Sequence, residues 1–120
     1  MRVAYLTLDE VNRHLAQSFA DEHGVSLDIL ACAGAIAEGE HDAVLYDPDS
    51  FPEEECRANL TAVLACPFDT TIAVHAYDFS TDRLRDVRRP GIILARRLGA
   101  EMFTRLVTAV QATRRQQTVA

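Results

Sequence analysis

Residues 42–55 read Asp42-Ala43-Val44-Leu45-Tyr46-Asp47-Pro48-Asp49-Ser50-Phe51-Pro52-Glu53-Glu54-Glu55. The run from Asp42 to Tyr46 is short, apolar and closed by turn residues, which is the pattern of a β-strand. A helix follows. Ser50 or Phe51 precedes Pro52, a residue suited to a first helical turn, and the three glutamates complement the positive end of a helix dipole. Cys56, Leu60, Val63 and Leu64 then form its expected inner face, and Pro67 stops it.

The same strand-then-helix unit recurs on both sides of this stretch. Strands are expected at Val3 to Leu8, Ser26 to Cys32, Thr70 to Tyr77 and Gly91 to Ala95. Between the first two, Asp9 caps a helix whose stripe is Val11, Leu15 and Phe19, ending at Gly24, where a left-handed residue is easy. Gly34 to His41 has room for one or two turns. Ser80 to Arg89 reads as a short polar helix, the fourth. Leu98 to Thr113 carries Met102, Phe103, Leu106, Val107 and Val110 on one stripe, and residues 113–120 read as a flexible tail.

Such alternation predicts a single α/β domain over residues 1–112, with five parallel strands in a doubly wound sheet of order 2-1-3-4-5. In such sheets a site forms at the carboxyl ends of the strands flanking the point where the order reverses, here strands 1 and 3. Those ends read Thr7-Leu8-Asp9-Glu10 and Tyr46-Asp47-Pro48-Asp49. Converging carboxylates repel unless a cation, a proton or an arginine compensates, so Asp9, Glu10 and Asp47 are candidate magnesium ligands. Each acid also has a local use, Asp9 as a helix cap and Asp47 at the start of a turn.

Composition narrows the function. The chain has 120 residues, 48% hydrophobic and 25% charged, with a formal net charge of -6. All twelve basic residues are arginine, so chemistry needing a lysine is excluded. An acidic total argues against general nucleic-acid binding. No apolar run approaches the roughly 20 residues that span a bilayer, and no targeting segment opens the sequence, which points to the cytoplasm. Cys32, Cys56 and Cys66 lack a CxxC spacing and read as packed thiols. The first loop lacks the glycines of a phosphate-binding turn, which weakens a nucleotide-binding reading. His14, His23 and His41 read as solvated. His75 ends a central strand, with no partner acid assignable from sequence.

Two stretches resemble the receiver domains of bacterial response regulators. Val3 to Arg13 is similar to the receiver opening, an apolar strand running into acidic residues and then an Asn-Arg step, and Ala43 to Asp47 is similar to its third strand. The resemblance covers nearly the whole chain. It implies a flavodoxin-like fold, a role in two-component signal transduction and Asp47 as the phosphoacceptor. It also implies departures: Leu8 replaces one member of the acidic pair, and His75 stands where a hydroxyl residue is expected. Ile93 or Leu94 takes the place of the aromatic switch residue, and Arg96 that of the lysine. Phosphoryl transfer to an aspartate needs charge neutralisation from a metal and fixed donors. Arg96 offers charge in a different geometry.

The expected function is therefore that of a degenerate, pseudo-receiver module acting by protein-protein interaction, not an enzyme and without a required cofactor. The alternative is a receiver phosphorylated on Asp47 with magnesium, and a third reading is a small α/β enzyme with its site at the strand 1 and strand 3 crevice. Arg83, Arg85, Arg88, Arg89, Arg96 and Arg97 crowd the fourth helix and fifth strand. With the last helix, they form the expected contact face for another protein or a second copy, because arginine forks suit carboxylates at interfaces.

Overall fold

Five strands lie in one all-parallel sheet of order β2-β1-β3-β4-β5. They are β1 (Arg2–Leu6), β2 (Ser26–Leu30), β3 (Ala43–Tyr46), β4 (Thr71–His75) and β5 (Ile93–Ala95). Among the described residues the helices are α1 (Glu10–His23), α2 (Glu53–Leu64) and α3 (Ala100–Thr118), with 3-10 turns at Ala33–Ile36 and Pro48–Ser50. This computed structural model describes residues 1–36, 40–77, 89 and 91–118. The expected fourth helix, with Arg83, Arg85 and Arg88, lies outside the described residues.

Alternation along the strands builds two cores. Val3 and Tyr5 of β1, Leu45 of β3 and Ala73 of β4 face α1 and α3, where Ala16, Ala20, Phe103 and Leu106 complete the cluster. Ala4, Leu6, Val44, Tyr46, Ile72 and Val74 face the other way, against Cys56 and Val63 of α2. Both faces of the sheet are thus covered, as parallel strands require.

The helix ends follow their local chemistry. The Asp9 side chain accepts a hydrogen bond from the Asn12 backbone amide at 2.8 Å, giving α1 its start. Gly24 closes it at φ 65°, a left-handed conformation that disfavours any side chain. The face that α1 buries differs from expectation. Val11 is 75% exposed and Leu15 also remains exposed, whereas Ala16 and Ala20 are fully buried. Small side chains on that face let the helix settle close to the sheet and to α3, where Phe19 meets the Phe103 ring at 5.9 Å between centroids.

Three further expectations are corrected. Residues 114–118 continue α3 instead of forming a tail, and Arg114 ties the helix to Asp42 at 2.8 Å. Cys32 is exposed where a packed thiol was expected, because β2 ends at Leu30 and the chain leaves the sheet. His41 is buried, not solvated, with its Nε2 2.8 Å from Asp28 Oδ2. In α2, Asn59 joins Cys56 and Val63 on the buried face, while Leu60 and Leu64 are half-buried.

Candidate functional site

The parallel register fixes the site. Leu6 pairs with Tyr46 and Tyr46 with Val74, so the next residues of the three strands, Thr7, Asp47 and His75, stand side by side. Each lies two positions beyond a residue facing α1 and α3, so all three fall on that side. The backbone continues the ladder, with the Asp47 amide donating to the Leu6 carbonyl at 3.0 Å.

Asp47 is 2% exposed and already engaged. Its Oδ2 accepts the Thr7 hydroxyl at 2.8 Å and the Asn12 side-chain amide at 3.2 Å. Its Oδ1 faces His75 Nδ1 at 3.8 Å, too far for a direct hydrogen bond. On the other side of the imidazole, Nε2 lies 2.6 Å from the Tyr5 hydroxyl. Burial holds the His75 pKa below its usual value, and the opposing pull of the Asp47 charge is smaller. Burial, followed by the Asp47 charge, raises the Tyr5 phenol well above its usual value. The tyrosine therefore keeps its proton and shares a hydrogen bond with Nε2 of a neutral ring.

A second layer locks the loops. The Leu8 amide donates to Ser50 Oγ at 2.9 Å, and Ser50 Oγ donates to the Asp47 carbonyl at 3.0 Å. The Asp9 amide donates to Thr7 Oγ1 at 3.1 Å. Asp49 Oδ2 accepts the Tyr77 amide at 2.7 Å, linking the loops after β3 and β4.

Above this network lies an open cavity of about 280 Å³ lined by Asp9, Asn12, Asp47, Asp49, Ser50, His75, Tyr77, Arg96, Arg97 and Leu98. It brings together Asp9, Asp47, His75 and Arg96, as the sequence suggested. Arg96 and Arg97 are exposed and make no ion pair among the described residues. Glu10 is exposed on the first turn of α1 and does not line the cavity. Ile93 is buried in the core, with Leu94 beside it exposed.

Two of the candidate magnesium ligands, Asp9 and Asp47, line this cavity, each with one carboxylate oxygen already engaged. Magnesium needs oxygen ligands in near-octahedral array, but Asp9 Oδ1 caps α1 and Asp47 Oδ2 is held by two neutral donors. Among the described residues, no group of three or more His, Cys, Asp or Glu side chains is gathered for a metal.

Arg89 is also not part of a free basic face. Its guanidinium donates to the carbonyls of Leu64, Cys66, Pro67 and Thr70, and it lies 5.4 Å from the Phe68 ring centroid. The donors are spent on the turn between α2 and β4.

Thr7, Asn12, Ser50 and Tyr5 were not singled out as site residues from the sequence. Thr7 had a signal: it follows Tyr5 by two positions, on the same face, at the end of the strand beside Asp47. Asn12 follows the Asp9 cap by three residues, which places it on the first turn nearest the strand ends.

No protein-family model matches the chain, and no curated protein matches it in sequence. Solved structures do. A two-component response regulator from Clostridium difficile is similar over 93% of this chain and 96% of its own, with TM-score 0.65 and 18% identity. A response regulator receiver protein from Burkholderia phymatum matches over 92% and 94%, with TM-score 0.68 and 15% identity. The N-terminal domain of a response regulator/sensory box/GGDEF 3-domain protein from Carboxydothermus hydrogenoformans matches over 99% and 98%, with TM-score 0.59 and 12% identity. The all-parallel order β2-β1-β3-β4-β5, with structural likeness over more than nine-tenths of each chain, gives this protein the fold of response-regulator receiver domains.

Proposed function

We propose that the chain is a signalling module of the receiver fold that works through protein-protein contact and does not run an efficient aspartyl-phosphate cycle. The observation that carries this reading is the engagement of Asp47. An attacking carboxylate oxygen must reach the phosphodonor while cations neutralise the transferring group. Here one oxygen holds two hydrogen bonds and the other faces a neutral imidazole. The chain has no lysine, and Arg96 replaces that point charge with a planar fork.

The contact face is the β5 and α3 side. Arg96, Arg97 and Arg105, together with Glu101 and Met102, line a shallow hollow of about 320 Å³. Guanidinium groups gathered at one hollow suit an acidic surface, on another protein or a second copy.

The competing reading is a receiver phosphorylated on Asp47, with magnesium and Arg96 in place of lysine. It draws on one fact, that Arg96 and Asp47 line the same cavity. Incubation with acetyl phosphate and magnesium, followed by intact-mass measurement, separates the two. The interaction reading expects an unchanged mass. A phosphoryl mass gain that disappears in Asp47→Asn overturns it in favour of the alternative.

A further inference from the structure

Charge is divided along the chain. Residues 1–60 hold thirteen of the eighteen acidic side chains, and residues 61–120 hold nine of the twelve arginines. In the order β2-β1-β3-β4-β5, the three strands of the first half lie together at one side of the sheet and the two of the second half at the other. The division along the chain is therefore also a division across the sheet.

Each half presents one concentrated patch. On the basic side, Arg96, Arg97 and Arg105 line the hollow of about 320 Å³ at the start of α3, and all three are exposed. Glu101 in the same wall offsets only one of these charges. On the acidic side, Glu53, Glu54 and Glu55 follow one another around the first turn of α2, all exposed. They complement the helix dipole, a local use that leaves their carboxylates in solvent. Among the described residues, none of these side chains makes an ion pair.

The fold keeps the two patches apart. α2 packs on one face of the sheet through Cys56 and Val63, and α3 on the other through Phe103 and Leu106. The carboxylates thus do not neutralise the guanidiniums of their own molecule, but they are open to those of another. Guanidinium forks match carboxylates in geometry as well as in charge. A two-fold pair sets a patch against its own copy, and here that means like charge against like. A head-to-tail contact sets each patch against its complement.

We infer that the protein self-associates head to tail, with the α2 glutamates of one copy seated against the arginine hollow of the next. This rests on the reading of that hollow as a contact face and names its occupant as a second copy of this chain. Contacts between exposed charges are weak singly and screened by salt, so the assembly is transient and depends on concentration.

Sedimentation velocity of the full chain tests this. At low salt the average mass should rise with concentration up to about 1 mM, the range in which weak contacts form. In about 1 M salt, where the screening length falls to about 3 Å, it should return to that of the monomer. Glu53→Gln, Glu54→Gln and Glu55→Gln together remove one side of the contact, and Arg96→Gln, Arg97→Gln and Arg105→Gln together remove the other. Circular dichroism melts check that both triple variants fold; if either unfolds, the single substitutions Glu54→Gln and Arg97→Gln take their place. Each variant alone should stay monomeric. Mixed, the intact hollow of the first and the intact glutamates of the second should give a one-to-one complex and nothing larger. A wild type that stays monomeric at low salt, association that survives high salt, a variant that still self-associates, or a mixture that forms no complex would overturn the inference. Such a failure leaves the acetyl phosphate result, and with it the contact role of the hollow toward another protein, untouched.

Discussion

The Tyr5 hydroxyl on β1 reaches His75 Nε2 on β4 across 2.6 Å, spanning the strand that carries Asp47. One phenol thus supplies the hydrogen-bond partner of a buried imidazole nitrogen. Tyr5→Phe leaves Nε2 buried without a partner. The expected loss is about 1–3 kcal/mol of stability, the penalty of an unsatisfied buried polar atom, and urea unfolding measures it.

The same imidazole makes stability depend on pH. Its folded pKa lies below the ordinary value of 6.5, chiefly through burial, so below that value the unfolded chain binds a proton that the folded chain refuses. Stability is then complete above about pH 6.5 and falls as the pH drops from there toward the folded pKa. Urea midpoints at neutral and mildly acidic pH should show the decline. His75→Gln should flatten that part of the profile, while a slope identical to wild type would exclude His75 as its source.

Thr7 is the neutral neighbour that lets Asp47 stay buried. Thr7→Asp puts a second carboxylate about 3 Å from the first, and like charges this close destabilise each other unless a cation joins them. The variant should be less stable than wild type in chelator and should recover about 1–2 kcal/mol in excess magnesium. Thermal melts with and without the metal read the difference, and wild type should not respond.

Arg89 holds the turn between α2 and β4 by its fork. Arg89→Ala removes charge-assisted hydrogen bonds to four carbonyls and the contact with Phe68, for an expected loss of about 2–3 kcal/mol. Arg89→Lys should recover less than half of that, because a single ammonium cannot reach the same set. Chemical denaturation of the three proteins checks the order.

Local pattern made the fold legible before any coordinates. Runs such as Ala43 to Tyr46, broken by Asp47-Pro48 and followed by a glutamate-rich turn, carry the period and punctuation of strand and helix within a few residues, and their alternation leaves few topologies open. The stripe of Met102, Phe103, Leu106, Val107 and Val110 was readable for the same reason. So was the convergence of Asp9 and Asp47, because a doubly wound sheet leaves its crevice where the strand order turns.

Which side chains occupy that crevice, and in what state, depended on contacts across the sheet. Thr7 and Asp47 are 40 residues apart, and Tyr5 and His75 are 70 apart. No periodicity within a strand reveals such a pairing. The buried face of α1 was decided the same way: Val11 and Leu15 have the more apolar stripe, but only the alanines allow the approach that α3 and the sheet require. His41 and Arg89 looked like surface groups until Asp28 and four backbone carbonyls were placed around them. Sequence specified the elements and their order because those depend on neighbouring residues. Burial, protonation and partner choice came only with the packed structure, because they depend on what the folded chain brings against each side chain from a distance.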